Sequence, residues 1–378
     1  MTINKQMTGQ VLVDSNAFKV RFEALAAKAQ KSIYIQAMSF EGDSVGEWLV
    51  DTLIASPAKD IQLCLDSYSK FVINDRFIYS LGYFKDEAFR AEVKNTAAVI
   101  KKAKANGIKV KYTNPLGFLF LKYPHRNHKK MVVIDEEVSF IGGLNFCEHN
   151  FEWHDMMVEM NSADMARSLS NDFHRSVAEN DQSIVNDLGD TKMYYLDGYR
   201  SKEIYKEVFN NIDQAKESIQ IFSPYVSDPL LTYTRNHKAD GVRLDIVSPG
   251  INNKNIFKAI LTNELMKGYF NFYEYQGRMS HLKAILIDGK RLVCGSSNFD
   301  FISYYFEEEV VMITENQEIV QSFIDNISKP DIENSILKKS LGGKRNIVVP
   351  LVFAGISRLC HVVASIISLK YLFRKSDV

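Results

Sequence analysis

The apolar positions along the chain fall into two series of short strand-like runs and longer helix-like runs. In the first, Lys31-Ser-Ile-Tyr-Ile-Gln36 opens a β-rich stretch and is followed by a strand at 61–65, a helix at about 94–105 and a strand at 108–112. In the second, Glu217-Ser-Ile-Gln-Ile-Phe222 takes the same place, followed by a strand at 242–247, a helix at about 255–267 and a strand at 270–275. Each series then closes on two more apolar runs of strand length. Short β-branched runs bounded by polar turns read as strands, and apolar residues recurring at three and four read as helices. Alternation at these lengths predicts an α/β fold, two similar sandwich halves with mixed sheets flanked by helices.

One block is written twice. His128-Lys-Lys130-Met-Val-Val-Ile-Asp135 leads, six residues on, to Gly142-Gly143-Leu-Asn145, and His281-Leu-Lys283-Ala-Ile-Leu-Ile-Asp288 leads at the same interval to Gly295-Ser296-Ser-Asn298. His, Lys, Asp, Gly and Asn stand at relative positions 0, 2, 7, 14 and 17 in both copies. A fixed repeat of this kind points to duplicated halves. The expected boundaries are 1–190 and 191–330 for the halves and 331–378 for a basic and apolar tail.

Side chains two apart on a strand share a face, so each His and Lys of a motif points the same way while the apolar residues after them fix the strand in a core. Histidine serves as nucleophile or general acid/base near neutral pH, and a lysine ammonium suits a phosphate oxygen. Asn145 and Asn298 can donate amide hydrogens to the same oxygens, and the neighbouring glycines let backbone approach a ligand. Downstream, Asp155 lies 27 residues after His128, and Glu307 lies 26 after His281. A carboxylate bonded to an imidazole nitrogen fixes tautomer and orientation, so these two are the expected imidazole-orienting residues.

The balance of 46 Lys+Arg against 46 Asp+Glu lacks the basic excess of a nucleic-acid binder, so no nucleic-acid partner is expected. Cys64, Cys147, Cys294 and Cys360 form no CxxC pair and read as reduced thiols. His125 precedes His128 by three, but no carboxylate or cysteine set completes a site, so no metal is expected. His149, His154, His174 and His237 have no repeat partners and read as surface or packing residues. Without GxxxxGK[ST] or GxGxxG, no nucleotide or other cofactor is expected either.

The paired His-x-Lys-x₄-Asp motifs with their Gly-Gly or Gly-Ser and Asn resemble the phospholipase D superfamily, and the similarity in layout runs from about Lys31 to about Ser328. Asn298-Phe-Asp300 with Glu307, and Trp153-His-Asp155, look most like the bacterial cardiolipin synthase branch. The resemblance implies two halves about a pseudo-twofold axis, with one active site where the motifs meet. It implies phosphodiester exchange without a metal. One histidine attacks phosphorus to give a phosphohistidine, while the other protonates the leaving alcohol and deprotonates the incoming one. Among His128, Lys130, Asp135, His281, Lys283 and Asp288, the first histidine is taken as nucleophile and His281 as acid/base, with internal symmetry leaving the reverse open. Lys130, Lys283, Asn145 and Asn298 would bind phosphate oxygens, and Asp135 and Asp288 would act as structural supports. Phospholipids are the implied substrates. The leading function is phosphatidyl transfer of the cardiolipin synthase type, the alternatives being hydrolysis to phosphatidic acid or, on the same scaffold, a nuclease.

The Lys31/Glu217 offset is 186 and the His128/His281 offset 153, so the first half holds about 33 extra residues. They fall in the aromatic stretch 68–89 and in Leu116–Tyr123, which either cap the core or face acyl chains. From Ile347 to Phe373 the chain is apolar, with Arg358, His361, Ser365 and Ser368 as a polar stripe and charge-free runs of at most 11 residues. That is short of the ~20 a spanning helix needs. Lys338, Lys339, Lys344 and Arg345 precede it and Arg374-Lys375 follow, the pattern of a helix lying on an anionic membrane surface. Packing on the second half is the alternative. With no leader-like N-terminal run, the expected location is the cytoplasmic side of a membrane, peripheral or tail-anchored.

Overall fold

The computed structural model describes residues 7–198 and 200–339 together with scattered positions between 352 and 365. Most of the apolar tail lies outside the described residues. The chain divides into two compact units, Met1–Asp181 and Gln182–Val378.

The first unit is built on one seven-stranded sheet. Its strands are β1 (Thr8–Val13), β2 (Ser32–Ala37), β3 (Asp60–Asp66), β6 (Lys109–Thr113), β7 (Met131–Ile134), β8 (Val138–Gly142) and β9 (Met156–Asn161), while β4 (Val72–Ile73) and β5 (Arg76–Phe77) form a separate ribbon. The sheet order is β1-β9-β8-β7-β2-β3-β6. Strands β2, β3 and β6 run parallel, joined by the helices Ser44–Ala55 and Glu87–Ala105, and β7 returns antiparallel to β2 with Ile134 opposite Ile33. Parallel neighbours need such helical crossovers, whereas β7, β8 and β9 follow one another antiparallel. Alternation sorts the two faces. Ile33, Ile35, Val132 and Ile134 join a core with Phe18, Phe22, Leu49, Leu53 and Val99 from three helices. On the other face, Tyr34 stacks on Phe173 of helix Ala163–Val177 at 5.0 Å.

In the second unit the sheet has nine strands: β10 (Ile184–Asp187), β11 (Thr191–Asp197), β12 (Ser218–Phe222), β13 (Arg243–Pro249), β14 (Asn271–Tyr275), β15 (Ala284–Ile287), β16 (Arg291–Gly295), β17 (Glu308–Thr314) and β18 (Ser335–Lys338). Their order is β10-β11-β17-β16-β15-β12-β13-β14-β18. Its middle seven strands repeat the first sheet position for position, and again β12, β13 and β14 are the parallel set. The duplication read from the motifs is therefore a duplication of the whole sheet. Residues 331–338, grouped above with the tail, finish a helix and pair with β14, and Lys338 meets Glu274 at 3.1 Å.

Candidate active site

The motif polar residues sit one step before their strands. Strand β7 begins at Met131 and β15 at Ala284, so His128 and Lys130, like His281 and Lys283, stand on the extended lead-in to a buried strand. All four are buried. In both units the lysine turns back on its own histidine: Lys130 Nζ donates to the His128 carbonyl at 2.9 Å and Lys283 Nζ to the His281 carbonyl at 2.6 Å. A buried ammonium is costly unless bonded. The carbonyl contact holds each ammonium against the backbone of its own motif histidine.

The lead-in to His128 is held from behind. At the end of β3, buried Asp66 accepts from Arg126 Nη1 at 2.8 Å and from the Asn127 backbone N–H at 2.5 Å. Asn127 Oδ1 accepts in turn from Gln36 Nε2 at 2.8 Å. Lys129, between the two motif residues, points to the opposite face. Its ammonium reaches Asp172 at 2.8 Å, Asp181 at 2.7 Å and Ser176 Oγ at 3.2 Å. Burial pushes the enclosed Asp172 carboxyl up, whereas Asp181, against the same burial effect, is held below its ordinary value by the Lys129 ammonium. In the second unit the packing is different: Leu282 replaces Lys129, and the His281 ring lies edge-on to Tyr225 at 6.0 Å.

The motif aspartates are far from the motif histidines. Seven residues of extended chain put Asp135 and Asp288 roughly 20 Å from their histidines by strand rise. There each caps the opening of the adjacent strand. Asp135 accepts from the N–H groups of Gln30, Lys31 and Ser32 at 2.8, 2.7 and 2.9 Å, and Asp288 from Lys216, Glu217 and Ser218 at 2.9, 2.8 and 2.8 Å. Although burial opposes it, those three N–H groups hold the Asp288 carboxyl below its ordinary range. Both aspartates adopt positive φ, 54° and 52°, at the turn.

The motif glycines Gly142, Gly143 and Gly295 stand where the protein's own atoms pack against the backbone. A Cβ at Gly142 would lie 2.1 Å from the Met156 carbonyl, and one at Gly295 would lie 2.1 Å from the Val310 carbonyl. At Gly143 it would meet the Asp155 carboxylate at 2.2 Å. Asp155 therefore packs directly on the Gly143 turn, where its Oδ1 also accepts from Met156 N–H at 2.8 Å. Asn145 accepts from Ser39 N–H at 3.2 Å and donates to Asn150 Oδ1 at 2.8 Å. Asn298 is held by its backbone, Ser223 Oγ donating to its carbonyl at 2.8 Å, while its Oδ1 is buried without a hydrogen-bond partner. Glu307 Oε2 accepts from Ser303 Oγ at 2.8 Å, and Ser303 N–H caps onto Asp300 at 2.8 Å. Burial pushes that Asp300 carboxyl up to about 6.

Several buried polar residues escaped the sequence reading. Besides Asp66 and Lys129, Glu308 and Glu309 are enclosed at the start of β17, and Ser296 Oγ bonds Glu309. Three consecutive glutamates opening an apolar strand, Glu307-Glu-Glu-Val-Val-Met-Ile, were the available signal. His154 and His174 are packing residues, bonded to Asp14 at 2.8 Å and edge-on to Tyr34 at 4.9 Å. Groups able to hold a metal occur among the described residues of the first unit. Ligand atoms of Glu41, Cys147 and His149 lie within 4.8 Å of one another, as do those of Glu41, Asp43 and Glu92. Burial, with Glu92 and Asp43 nearby, pushes Glu41 up to about 8, so a proton can settle this acidic cluster.

The repeat found in the geometry is matched by family. A model described as cardiolipin synthase, PLD-like domain, aligns to residues 23–177 and again to 208–329. The chain belongs to this phospholipase D-like family. It is 30% identical over 213 residues to the minor cardiolipin synthase ClsB of Bacillus subtilis, covering 51% of this chain and 53% of that one. To cardiolipin synthase B of Salmonella typhimurium it is 26% identical over 343 residues, covering 81% and 76%. The chain thus spans little more than half of ClsB, and 65% of a probable cardiolipin synthase, YwiE, of Bacillus subtilis. Among solved structures it is similar to phosphatidylserine synthase of Haemophilus influenzae, with a TM-score of 0.70 at 14% identity and 94% of each chain covered. Such a likeness shows that the two chains share an α/β fold.

Proposed function

We propose that this chain is a phosphatidyltransferase of the cardiolipin synthase type, moving a phosphatidyl group from one phospholipid to the hydroxyl of another through a phosphohistidine. The observation that carries the reading is the twofold repeat of a buried histidine with a lysine bonded to its carbonyl, in a chain of the cardiolipin synthase-like family.

A ring nitrogen of His128 attacks phosphorus, and the bond to the leaving alcohol breaks as that oxygen takes a proton from His281. The incoming alcohol then gives its proton to His281 and attacks phosphorus, and the P–N bond breaks. The first step needs His128 neutral and His281 protonated, and the second needs His281 neutral while His128 carries the phosphoryl group, which is the physical reason for two histidines. Lys130, Lys283, Asn145 and Asn298 bear the charge that grows on the non-bridging oxygens. Asp155 and Glu307 orient imidazoles. Their anchoring, on the Gly143 turn and on Ser303, suits rigid positioning.

Phosphatidylglycerol is the substrate we assign to both steps, with the protein peripheral on the cytoplasmic side of the membrane. Among the described residues no helix is long and apolar enough to cross a bilayer. The tail beyond residue 340 serves as an anchor on anionic lipid.

The test is to quench wild-type enzyme during turnover of phosphatidylglycerol and map the covalent adduct by peptide mass spectrometry under alkaline conditions. A phosphatidyl group on His128, absent from the His128→Ala protein, is the expected result. An adduct on His281 reverses the roles, and full turnover in both His→Ala proteins defeats the mechanism.

A further inference from the structure

The first unit leaves a run of large apolar side chains in water. They belong to the two insertions that distinguish it from the second unit, the ribbon β4–β5 with the helix Leu81–Lys85, and the turn at 117–123 before the motif. Phe118 is 81% exposed, Leu81 80%, Leu121 77% and Phe84 68%. Core capping is therefore the wrong description for these four.

The insertions form one surface. Phe120 lies edge-on to Phe71 at 6.0 Å and to Phe77 at 5.9 Å, and Tyr79 lies 5.4 Å from Phe77. Segments distant in the chain thus brace each other through their rings, while Phe118 and Leu121 project from the brace. A contiguous apolar patch of this kind marks a partner, since isolated exposed apolar residues are ordinary but clusters are not.

The backbone indicates which partner. Within the turn, Phe120 N–H bonds the Gly117 carbonyl at 3.3 Å, Leu121 N–H bonds Phe118 at 3.2 Å, Lys122 N–H bonds Leu116 at 3.0 Å and Tyr123 N–H bonds Phe120 at 2.9 Å. A segment that satisfies its own N–H groups can enter hydrocarbon, where unsatisfied ones are costly. Around the apolar tip, Tyr79 and Tyr123 are exposed, as are Lys85 and Lys122. Tyrosines at headgroup level, with lysines reaching anionic phosphates, are the chemistry of a membrane interface.

We propose that this aromatic face is a membrane-contact surface, with Phe118 and Leu121 immersed among acyl chains of an anionic phospholipid bilayer. The inference rests on the reading of the substrate as phospholipid and adds where the lipid surface is met. It also explains the placement of the insertion. The turn at 117–123 runs through Arg126 and Asn127, both held by Asp66, directly into His128, so a lipid drawn up at the turn is delivered beside the motif.

The experiment uses the full chain carrying Phe118→Trp and vesicles of phosphatidylglycerol and phosphatidylcholine brominated on the acyl chains. Fluorescence of the introduced indole should shift to the blue and be quenched, whereas the wild-type protein, with only Trp48 and Trp153, should show little quenching. Phe118→Ser with Leu121→Ser should weaken vesicle partitioning about a hundredfold, the product of two exposed-to-buried side chains. Its unfolding midpoint and its turnover of dispersed short-chain phosphatidylglycerol should be unchanged. An unquenched introduced indole on vesicle-bound Phe118→Trp protein overturns the proposal, as does unaltered partitioning of the double variant. Loss of short-chain turnover in that variant overturns it too, because the turn would then be supporting the motif. Quenching of the introduced indole in a protein that converts no phospholipid would uphold the surface and defeat the enzymatic reading.

Discussion

Replacing Lys129 by methionine removes an ammonium while keeping an unbranched apolar stem of similar length. Lys129 is fully buried, and so is Asp172; Asp181 is 9% exposed at the side chain. Taking the ammonium away leaves two carboxylates enclosed with Ser176, with the partly exposed Arg175 at 3.1 Å from Asp172 and His125 near Asp181. Removing one partner of a buried ion pair costs about 3–5 kcal/mol, because the desolvated charge left behind has lost its compensation. Arg175 compensates in part for Asp172, so the low end of about 3 kcal/mol is expected. For a unit of this size a urea slope of about 2 kcal/mol per M converts that into a midpoint lower by about 1.5 M. Both tryptophans, Trp48 and Trp153, lie in the first unit, so fluorescence reports its unfolding without interference from the second. Adding Asp172→Asn and Asp181→Asn to Lys129→Met removes the two enclosed carboxylate charges and should recover most of the loss. A shift below about 0.5 M, or a triple variant worse than the single, would show that Lys129 is solvated and that helix Ala163–Val177 does not set the position of the motif.

Three further outcomes follow from the geometry. Asp288→Ala removes three hydrogen bonds to a partly buried carboxylate and should cost about 1–3 kcal/mol in urea unfolding, while turnover per folded molecule stays within about tenfold; a loss above a thousandfold at full stability would make Asp288 a reactant. Glu41, raised to about 8 in the folded protein against 4.5 when unfolded, binds its proton more tightly folded. Stability should therefore be greatest below about pH 5 and fall by on the order of a few kcal/mol as pH rises through about 8, and Glu41→Gln should flatten that profile. If the wild-type and Glu41→Gln curves run parallel between pH 5 and 9, the acidic cluster is not protonated. Glu307→Gln should lower kcat and shift its pH profile with little change in KM, because it disturbs an imidazole and not a substrate ligand; a pure KM effect would place Glu307 on the substrate.

Much of the fold was legible because the chain states it twice. The pair Ser-Ile-x-Ile at 32–35 and 218–221 marked the two central strands, and the motif spacing marked β7–β8 and β15–β16. Edges were harder. Strand β1 alternates polar and apolar weakly, being half-covered at the rim of the sheet, and carries little periodic signal. The hairpin β10–β11 was readable in principle, since Asn-Asp-Leu-Gly-Asp separates Ile184-Val from Met193-Tyr-Tyr-Leu, a turn signature between apolar runs. Lys338 looked like a membrane-facing cation but belongs to β18, because charge alone does not distinguish a solvated flank from an edge strand with a partner at Glu274. Within the candidate site, residue types and spacing singled out the histidines and lysines as candidates, whereas Asp66, Lys129 and Glu309 became visible only when burial showed what each one holds.

The most direct measurement is mass spectrometry of the lipids formed when the purified protein meets vesicles of phosphatidylglycerol and phosphatidylethanolamine, with the His128→Ala protein alongside. Cardiolipin from the wild type and none from the variant is the expected result. Phosphatidic acid alone would assign hydrolysis in place of transfer, and equal cardiolipin from both proteins would contradict the phosphohistidine mechanism.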